Sequence, residues 1–557
     1  MKQPVSALAL ALALACATNA HAQSSFELVD MDPADAGLND PTPVKPDGGN
    51  PGRTLGEQRR IAQRYAMDLW GALLTSPQPI RVQASFSPLE CGQRTVLGSA
   101  GAVTWHQDFP GAPRPGLEYP AAMANALAGE DLAIGSNDIT TNFNSDLGTE
   151  ACGEREWFYG LKGNGDNVQD GPNFLNVIMH EIGHGLGVAH RLGAFLGIPI
   201  SLSETGYGDM ARSNQFDTRV NDLGTAQLRT ALTTVGDVVW AGPLTNAATQ
   251  LIADNRVSLV VDFPAGAAGR FETAIATFGN TDIASMPAGA LVRVLDAGTG
   301  TSRACEGGDI DGTPAPRIAN PEAIAGNIAL IDRGDCEFGL KAANAQRYGA
   351  IAVIIANTDD VVFGGMGPGE SGGVVTIPVI SVSRSTGERL AGEAAVMVAG
   401  TEEEPDAYYG LDDAGRTRLY VNTAFEGGST LSHIDRDMSP NALMEPAETP
   451  TLQSHIFVDV TLDLYEDLGW PVNRDGTAIL GGCDTGIPVI RDVGFIPGAN
   501  LMAQQNVCEV AARGSRAGYQ RCMNDHALEL RNDGHISNAE VLKVRQCLAS
   551  ASRPSGG

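Results

Sequence analysis

Beyond its first two dozen residues, the chain has no apolar run of the ~20 residues that a membrane-spanning helix requires. It is also short of positive charge. Thirty-seven Lys and Arg stand against 66 Asp and Glu, a formal charge of −29 and a pI near 4.6. That balance argues against nucleic acid and anionic membrane surfaces as partners. Cysteine is scarce, at nine in 557 residues. One of them, Cys16, lies in the N-terminal apolar stretch, which leaves eight; an even number in an exported chain suggests disulfides. Spacing groups Cys91 with Cys152, Cys305 with Cys336, and Cys483, Cys508, Cys522 and Cys547 among themselves, with the pairing left open. On one straight helix Cys508 and Cys522 would lie roughly 21 Å apart at 1.5 Å per residue. Either the stretch Gly514 to Gly518 breaks the helix or they bond elsewhere.

The N-terminus reads as a secretory signal over residues 1–22. Met1-Lys2 is a short basic start, Ala7 to Ala17 an Ala/Leu run, and Ala20-His21-Ala22 a small-x-small cleavage site. Cys16 would suit a lipoprotein, but Ala13 replaces the leucine of that motif. The expected location is therefore secreted, extracellular or periplasmic. Residues 23–55, rich in Asp, Pro, Gly and Asn, read as a flexible leader or propeptide remnant.

The most informative stretch is His180-Glu181-Ile182-Gly183-His184-Gly185-Leu186-Gly187-Val188-Ala189-His190. Residues four apart share a helix face, so His180 and His184 can present imidazole nitrogens to one ion. Pro172-Asn173 offers a helix start, and Phe174, Leu175, Ile178, Ile182 and Leu186 form an apolar stripe at helical spacing. Gly187 takes a positive φ without a Cβ clash, so the chain can turn and return His190 as a third ligand. Three protein ligands leave a fourth zinc position to water, the arrangement of a catalytic site. Zinc then acidifies that water and polarises a carbonyl. Glu181 serves as general base and later as proton donor to the leaving amine.

These eleven residues resemble the metzincin zinc peptidases, whose pattern is His-Glu-x-x-His-x-x-Gly-x-x-His followed by a methionine turn. Ser439-Pro440-Asn441-Ala442-Leu443-Met444-Glu445-Pro446 looks like the matrixin form of that turn. The resemblance implies that Met444 floors the zinc site, and that the catalytic fold is α+β. It also implies a Cys switch in a propeptide. Cys91 lacks the flanking residues of such a switch and reads as a disulfide cysteine. Arg191 stands where matrixins usually have Ser. Strands over Pro79 to Phe86, Thr95 to Trp105 and Ile134 to Asn144, with helices over Leu55 to Leu74 and Pro120 to Leu127, precede the zinc helix. By resemblance, the strand Ile139 to Phe143 is the sheet edge on which an extended substrate lies, held by main-chain hydrogen bonds. Tyr465 and Tyr420 are candidate transition-state donors. His433 and His455 flank Met444; either is a candidate extra ligand, but with three histidines already assigned both read as structural or supporting residues.

About 250 residues separate His190 from Met444, so a module must be inserted between them. Gly326 to Phe338, Ala350 to Ala356 and Ile377 to Val382 alternate with helical segments, an α/β pattern. The run Arg333-Gly334-Asp335-Cys336-Glu337-Phe338 and the later Ile377-Pro378-Val379-Ile380 resemble the protease-associated (PA) domain. That resemblance implies a role in gating the cleft or holding protein substrates. Arg333-Gly334-Asp335 coincides with the module's own turn, which argues against an adhesion motif. Ser371 sits in a glycine-rich stretch, in a module that lacks histidine, and so does not read as a hydrolase nucleophile.

The expected organisation is a signal (1–22), a leader (23–55), an α+β catalytic part with the zinc helix (56–239), an α/β PA domain (240–400), a second catalytic part with the Met-turn (401–475) and a Cys-containing helical C-terminal region (476–557). In that last region Ser537-Asn538-Ala539-Glu540 is a capping box. The expected function is a secreted zinc-dependent endopeptidase acting on proteins or peptides, with metal ligands His180, His184 and His190. The competing expectation is an inactive zinc-containing scaffold that works through its PA domain. The acidity also suits structural calcium, although Asp309-Ile310-Asp311-Gly312 is too short for a calcium loop and reads as a turn.

Overall fold

The computed structural model describes residues 23–550 except 93–94, 154, 163–170, 196–197, 283–284, 306–317, 363, 365, 370 and 450. The signal segment and the Asp309 turn lie outside the described residues. The chain is a mixed α+β protein carrying a PA domain.

Four strands form the first sheet: β1 (Phe26–Asp30), β2 (Ile80–Ser87), β3 (Gly98–Ala102) and β4 (Ile139–Asn144), in the order β1-β2-β4-β3. β2 is parallel to both β1 and β4, and β3 runs antiparallel to β4. Alternation in β2 sends Ile80, Val82 and Ala84 inward. There they meet helix α1 (Leu55–Leu73), whose Trp70 and Leu69 are fully buried, and helix α2 (Phe174–Leu186). Thr54 caps α1 by accepting from the Glu57 amide, and Asn173 caps α2 by accepting from that of Asn176.

Residues 23–55 are folded rather than a flexible leader. β1 pairs along β2, Phe26 and Leu38 are buried, and the Asn50 amide donates to the carbonyls of Gln58 and Tyr159. The Asp, Asn and Pro content that suggested disorder is spent on turns and side-chain-to-backbone bonds. The strand Ile139–Asn144 is not an edge, because β2 and β3 flank it; the edge strands are β1 and β3.

The inserted module is a closed barrel of β5 (Asn255–Phe263), β6 (Gly269–Ile275), β7 (Gly289–Arg293), β8 (Ile328–Asp332), β9 (Ala352–Ala356), β10 (Val379–Val382) and β11 (Met397–Tyr408), ordered β5-β6-β10-β9-β8-β7-β11. β7 to β10 are parallel neighbours. Every residue of β9 is buried, as expected for a strand covered on both faces. Ala342 and Ala345, from the helix Phe338–Arg347, pack on one side of the barrel strands and Leu390 on the other. The barrel starts later and ends later than the expected 240–400: Trp240 and the helix Pro243–Ile252 belong with the part of the chain around it, where Asp467 accepts from the Trp240 indole and the Thr245 amide, and the last barrel strand runs on to Tyr408.

The disulfides are Cys91–Cys152, Cys305–Cys336, Cys483–Cys547 and Cys508–Cys522. The last forms because the helix breaks. Pro497–Ala512 and Arg516–Asn532 fold back on each other through Arg513 and Gly514, both in the left-handed region. The third tail helix, Asn538–Ser550, starts at the expected capping box, with Ser537 and Glu540 bonded reciprocally. Among the described residues no helix is long and apolar enough to cross a membrane.

Candidate metal centre

α2 delivers two imidazoles from one face. The Nε2 atoms of His180 and His184 lie 3.0 Å apart. A third Nε2, that of His433, lies 3.2 Å from His184 and 3.3 Å from His180. Among the described residues these three form the one group of at least three His, Cys, Asp or Glu able to hold a metal.

The opposite nitrogens explain the convergence. Nδ1 of His180 is 2.7 Å from the Leu443 carbonyl, that of His184 2.6 Å from the Val188 carbonyl, and that of His433 2.8 Å from the Ser429 carbonyl. A carbonyl only accepts, so each Nδ1 carries the proton and each Nε2 a lone pair. Burial pushes all three imidazoles towards the neutral form; for His184, burial and the neighbouring His180 bring the pKa down to about 3. Three lone pairs thus face one another with no proton between them. A tetrahedral zinc with nitrogen ligands at about 2.0–2.1 Å has ligand–ligand edges of roughly 3.3–3.4 Å. The separations and the donor set fit that ion.

His190 does not join the group. Gly187 turns the chain as expected, at φ 147°, but His190 Nε2 then donates to the Thr430 carbonyl at 2.9 Å. Its Nδ1 is buried without a hydrogen-bond partner. The structure therefore puts His433 where the reading of the motif has His190. His433 stands among only nine histidines, eleven residues before Met444; that proximity was its one local signal.

Met444 is fully buried beneath α2, and a Cβ on Gly183 would come within 2.7 Å of its sulfur. The same turn orients His180, since Leu443 supplies the carbonyl to which its Nδ1 donates. Asp459 in turn accepts from the Leu443 amide at 2.5 Å. Glu181 is buried, and burial raises its pKa to about 8. Its carboxylate lies against β3: a Cβ on Gly98 would sit 2.8 Å from Oε1. Tyr465 and Tyr420 do not face the cluster. Tyr465 donates to the Gly183 carbonyl inside the core, and Tyr420 to Glu426. His455 lies towards the helical tail, where its carbonyl accepts from Asn500.

A family profile described as the PA domain matches residues 288–390. Among curated proteins, the chain is 30% identical over 194 residues to vacuolar-sorting receptor 1 of Pisum sativum, covering 33% of this chain and 30% of the receptor. It is 34% identical over 110 residues to a probable lipoprotein aminopeptidase, LpqL, of Mycobacterium tuberculosis, covering 19% of this chain and 20% of that protein. It is 46% identical over 65 residues to aminopeptidase YwaD of Bacillus subtilis, covering 12% and 14%. A solved zinc aminopeptidase from Bacillus subtilis aligns at 20% identity and a TM-score of 0.19, over 30% of this chain and 38% of that one. The chain thus spans less than a third of the length of these curated relatives.

Proposed function

We propose that this protein is a secreted zinc-dependent endopeptidase of metzincin type, with His180, His184 and His433 as metal ligands and Glu181 as general base. The convergence of three unprotonated Nε2 atoms within 3.3 Å carries the reading. Zinc held there would supply Lewis acidity for the scissile carbonyl, acidify a water to a pKa of about 7, and by its charge oppose the burial that keeps Glu181 protonated. Glu181 takes the proton of the attacking water and returns it to the departing amine nitrogen. β3 positions the substrate. Among the described residues its outer edge pairs with no strand, so an extended peptide can add there through main-chain hydrogen bonds beside Glu181. The glycines and alanines of Gly98–Ala102 keep that edge free of bulky side chains. The barrel, by its likeness to PA domains, holds or admits protein substrates. Four disulfides support an oxidising, extracytoplasmic location.

A second reading, an aminopeptidase, draws on the names of the relatives. Cleavage of a long peptide with and without an N-terminal acetyl group separates the two. The endopeptidase cuts both at internal bonds; an aminopeptidase leaves the acetylated peptide intact. Chelator-sensitive cleavage of casein, abolished in Glu181→Gln, separates either enzyme from an inactive zinc scaffold.

A further inference from the structure

His433 arrives on a loop whose conformation is unfavourable by itself. Leu431 lies in the left-handed region at φ 75°, where leucine is rarely found, and such backbone persists only when its surroundings hold it. The loop also lies beyond the barrel in the chain, after residues 409–425, so more than two hundred residues separate His433 from the two helical histidines.

Four consecutive carbonyls of this loop accept side-chain hydrogen bonds. Gly428 accepts from the Ser432 hydroxyl at 3.2 Å, and Ser429 from His433 Nδ1 at 2.8 Å. Thr430 accepts from His190 Nε2 at 2.9 Å, and Leu431 from the Tyr207 hydroxyl at 2.9 Å. The first two bonds are internal to the loop. The last two come from the part of the catalytic domain that precedes the barrel, and Tyr207 is 3% exposed. A ring nitrogen that donates to a carbonyl has no lone pair left for a metal, so His190 Nε2 is committed to the loop.

We infer that His190 and Tyr207 are positioning residues: they clamp the carbonyls of Thr430 and Leu431 and so hold His433 in register with His180 and His184 across the inserted barrel. This rests on the zinc site proposed above, but on metal binding alone and not on peptide hydrolysis. The third histidine of the sequence motif acts one step away from the metal, through the loop that brings the third ligand.

The test is metal affinity, measured on the full-length protein by chelator competition, with the Co(II)-substituted absorption spectrum as a second readout. Loss of a partner that orients a ligand typically weakens metal binding by about 10–100-fold. His190→Ala is expected to bind one zinc at saturation with affinity lowered by that order and an unchanged cobalt ligand-field pattern. His190→Gln, which keeps a donor, is expected to recover part of the loss. Tyr207→Phe removes one hydroxyl and is expected to weaken zinc several-fold, which keeps the inference testable if His190→Ala does not fold. The inference is overturned if folded His190→Ala takes up no zinc at saturation or changes the cobalt spectrum, since His190 is then a ligand. It is equally overturned if zinc affinity is unchanged in His190→Ala, or in Tyr207→Phe where that variant has to stand in. A wild-type protein that binds zinc tightly but cleaves nothing would sink the peptidase reading and leave this one standing.

Discussion

The proposed metal centre is held from two sides by opposite means. On one side, the helix Phe174–Leu186 sets the spacing of His180 and His184 by its own period, while the distant Leu443 carbonyl orients the His180 ring. On the other, the loop Glu426–His433 has no repeating structure. It is set by side chains reaching in from Tyr207 and His190, by the Tyr420 carbonyl that accepts from the Leu431 amide, and by the Tyr420 amide that donates to the His433 carbonyl. A ligand pair on a helix tolerates changes around it, whereas a ligand on a loop is only as well placed as the contacts that pin the loop.

The sharpest way to break this comparison is to remove one ligand from each side. His184→Ala and His433→Ala are both expected to fall from about one zinc per chain to nearly none after dialysis, read by metal analysis. Retention of zinc by His433→Ala alone would leave the helix side as the whole site. Glu181→Gln sharpens the division of labour: zinc stays bound while peptide hydrolysis falls by roughly 10²–10⁴-fold or more. Hydrolysis at the wild-type rate in that variant would remove Glu181 from the chemistry. Met444→Ala tests the turn where the two sides meet. The side chain is fully buried under Gly183, so its loss should destabilise the fold by about 2–5 kcal/mol, visible as a lower denaturation midpoint with zinc stoichiometry retained. An unchanged midpoint would contradict its role as a packed floor.

The smallest expected effect is a control remote from both sides. His526, on the helical tail, is buried and donates from Nε2 to Asn500 at 2.6 Å. Burial, then the charges of Lys162 and His455, bring its pKa down to about 3. The unfolded chain takes up this proton below about pH 6.5 while the folded one does not. Stability is thus fully present above pH 6.5 and declines as pH falls towards 3, by at most about 1.4 kcal/mol per pH unit for this group. His526→Gln should flatten the decline between pH 6.5 and 4 relative to wild type, in urea titrations of the zinc-loaded protein. Parallel pH profiles would show that the tail does not bury a neutral imidazole.

What was legible beforehand follows from the same contrast. The convergence of His180 and His184 was readable because helical spacing is local, and the place of Met444 beneath their helix because its turn carries a compact motif. Three of the seven barrel strands, β8 to β10, stood out as apolar runs bounded by turns, whereas β5, β6, β7 and β11 did not. His433 was given a supporting role because the motif already supplied three histidines, and because its contact with His184 spans 249 positions that no local period marks. His190 was misplaced because Gly187 announces a turn without saying where the chain goes next. The exchange of β3 for β4 as the open edge has a similar origin: a strand's amphipathic pattern tells which face is buried, not which neighbours it pairs with.

One measurement bears most directly on the account: anomalous diffraction at the zinc edge from crystals of the zinc-loaded protein. A single peak about 2.0–2.1 Å from the Nε2 atoms of His180, His184 and His433, with His190 still bonded to the Thr430 carbonyl, is the predicted result. A peak coordinated by His190 with His433 turned away, or no peak between the helical histidines, would contradict it.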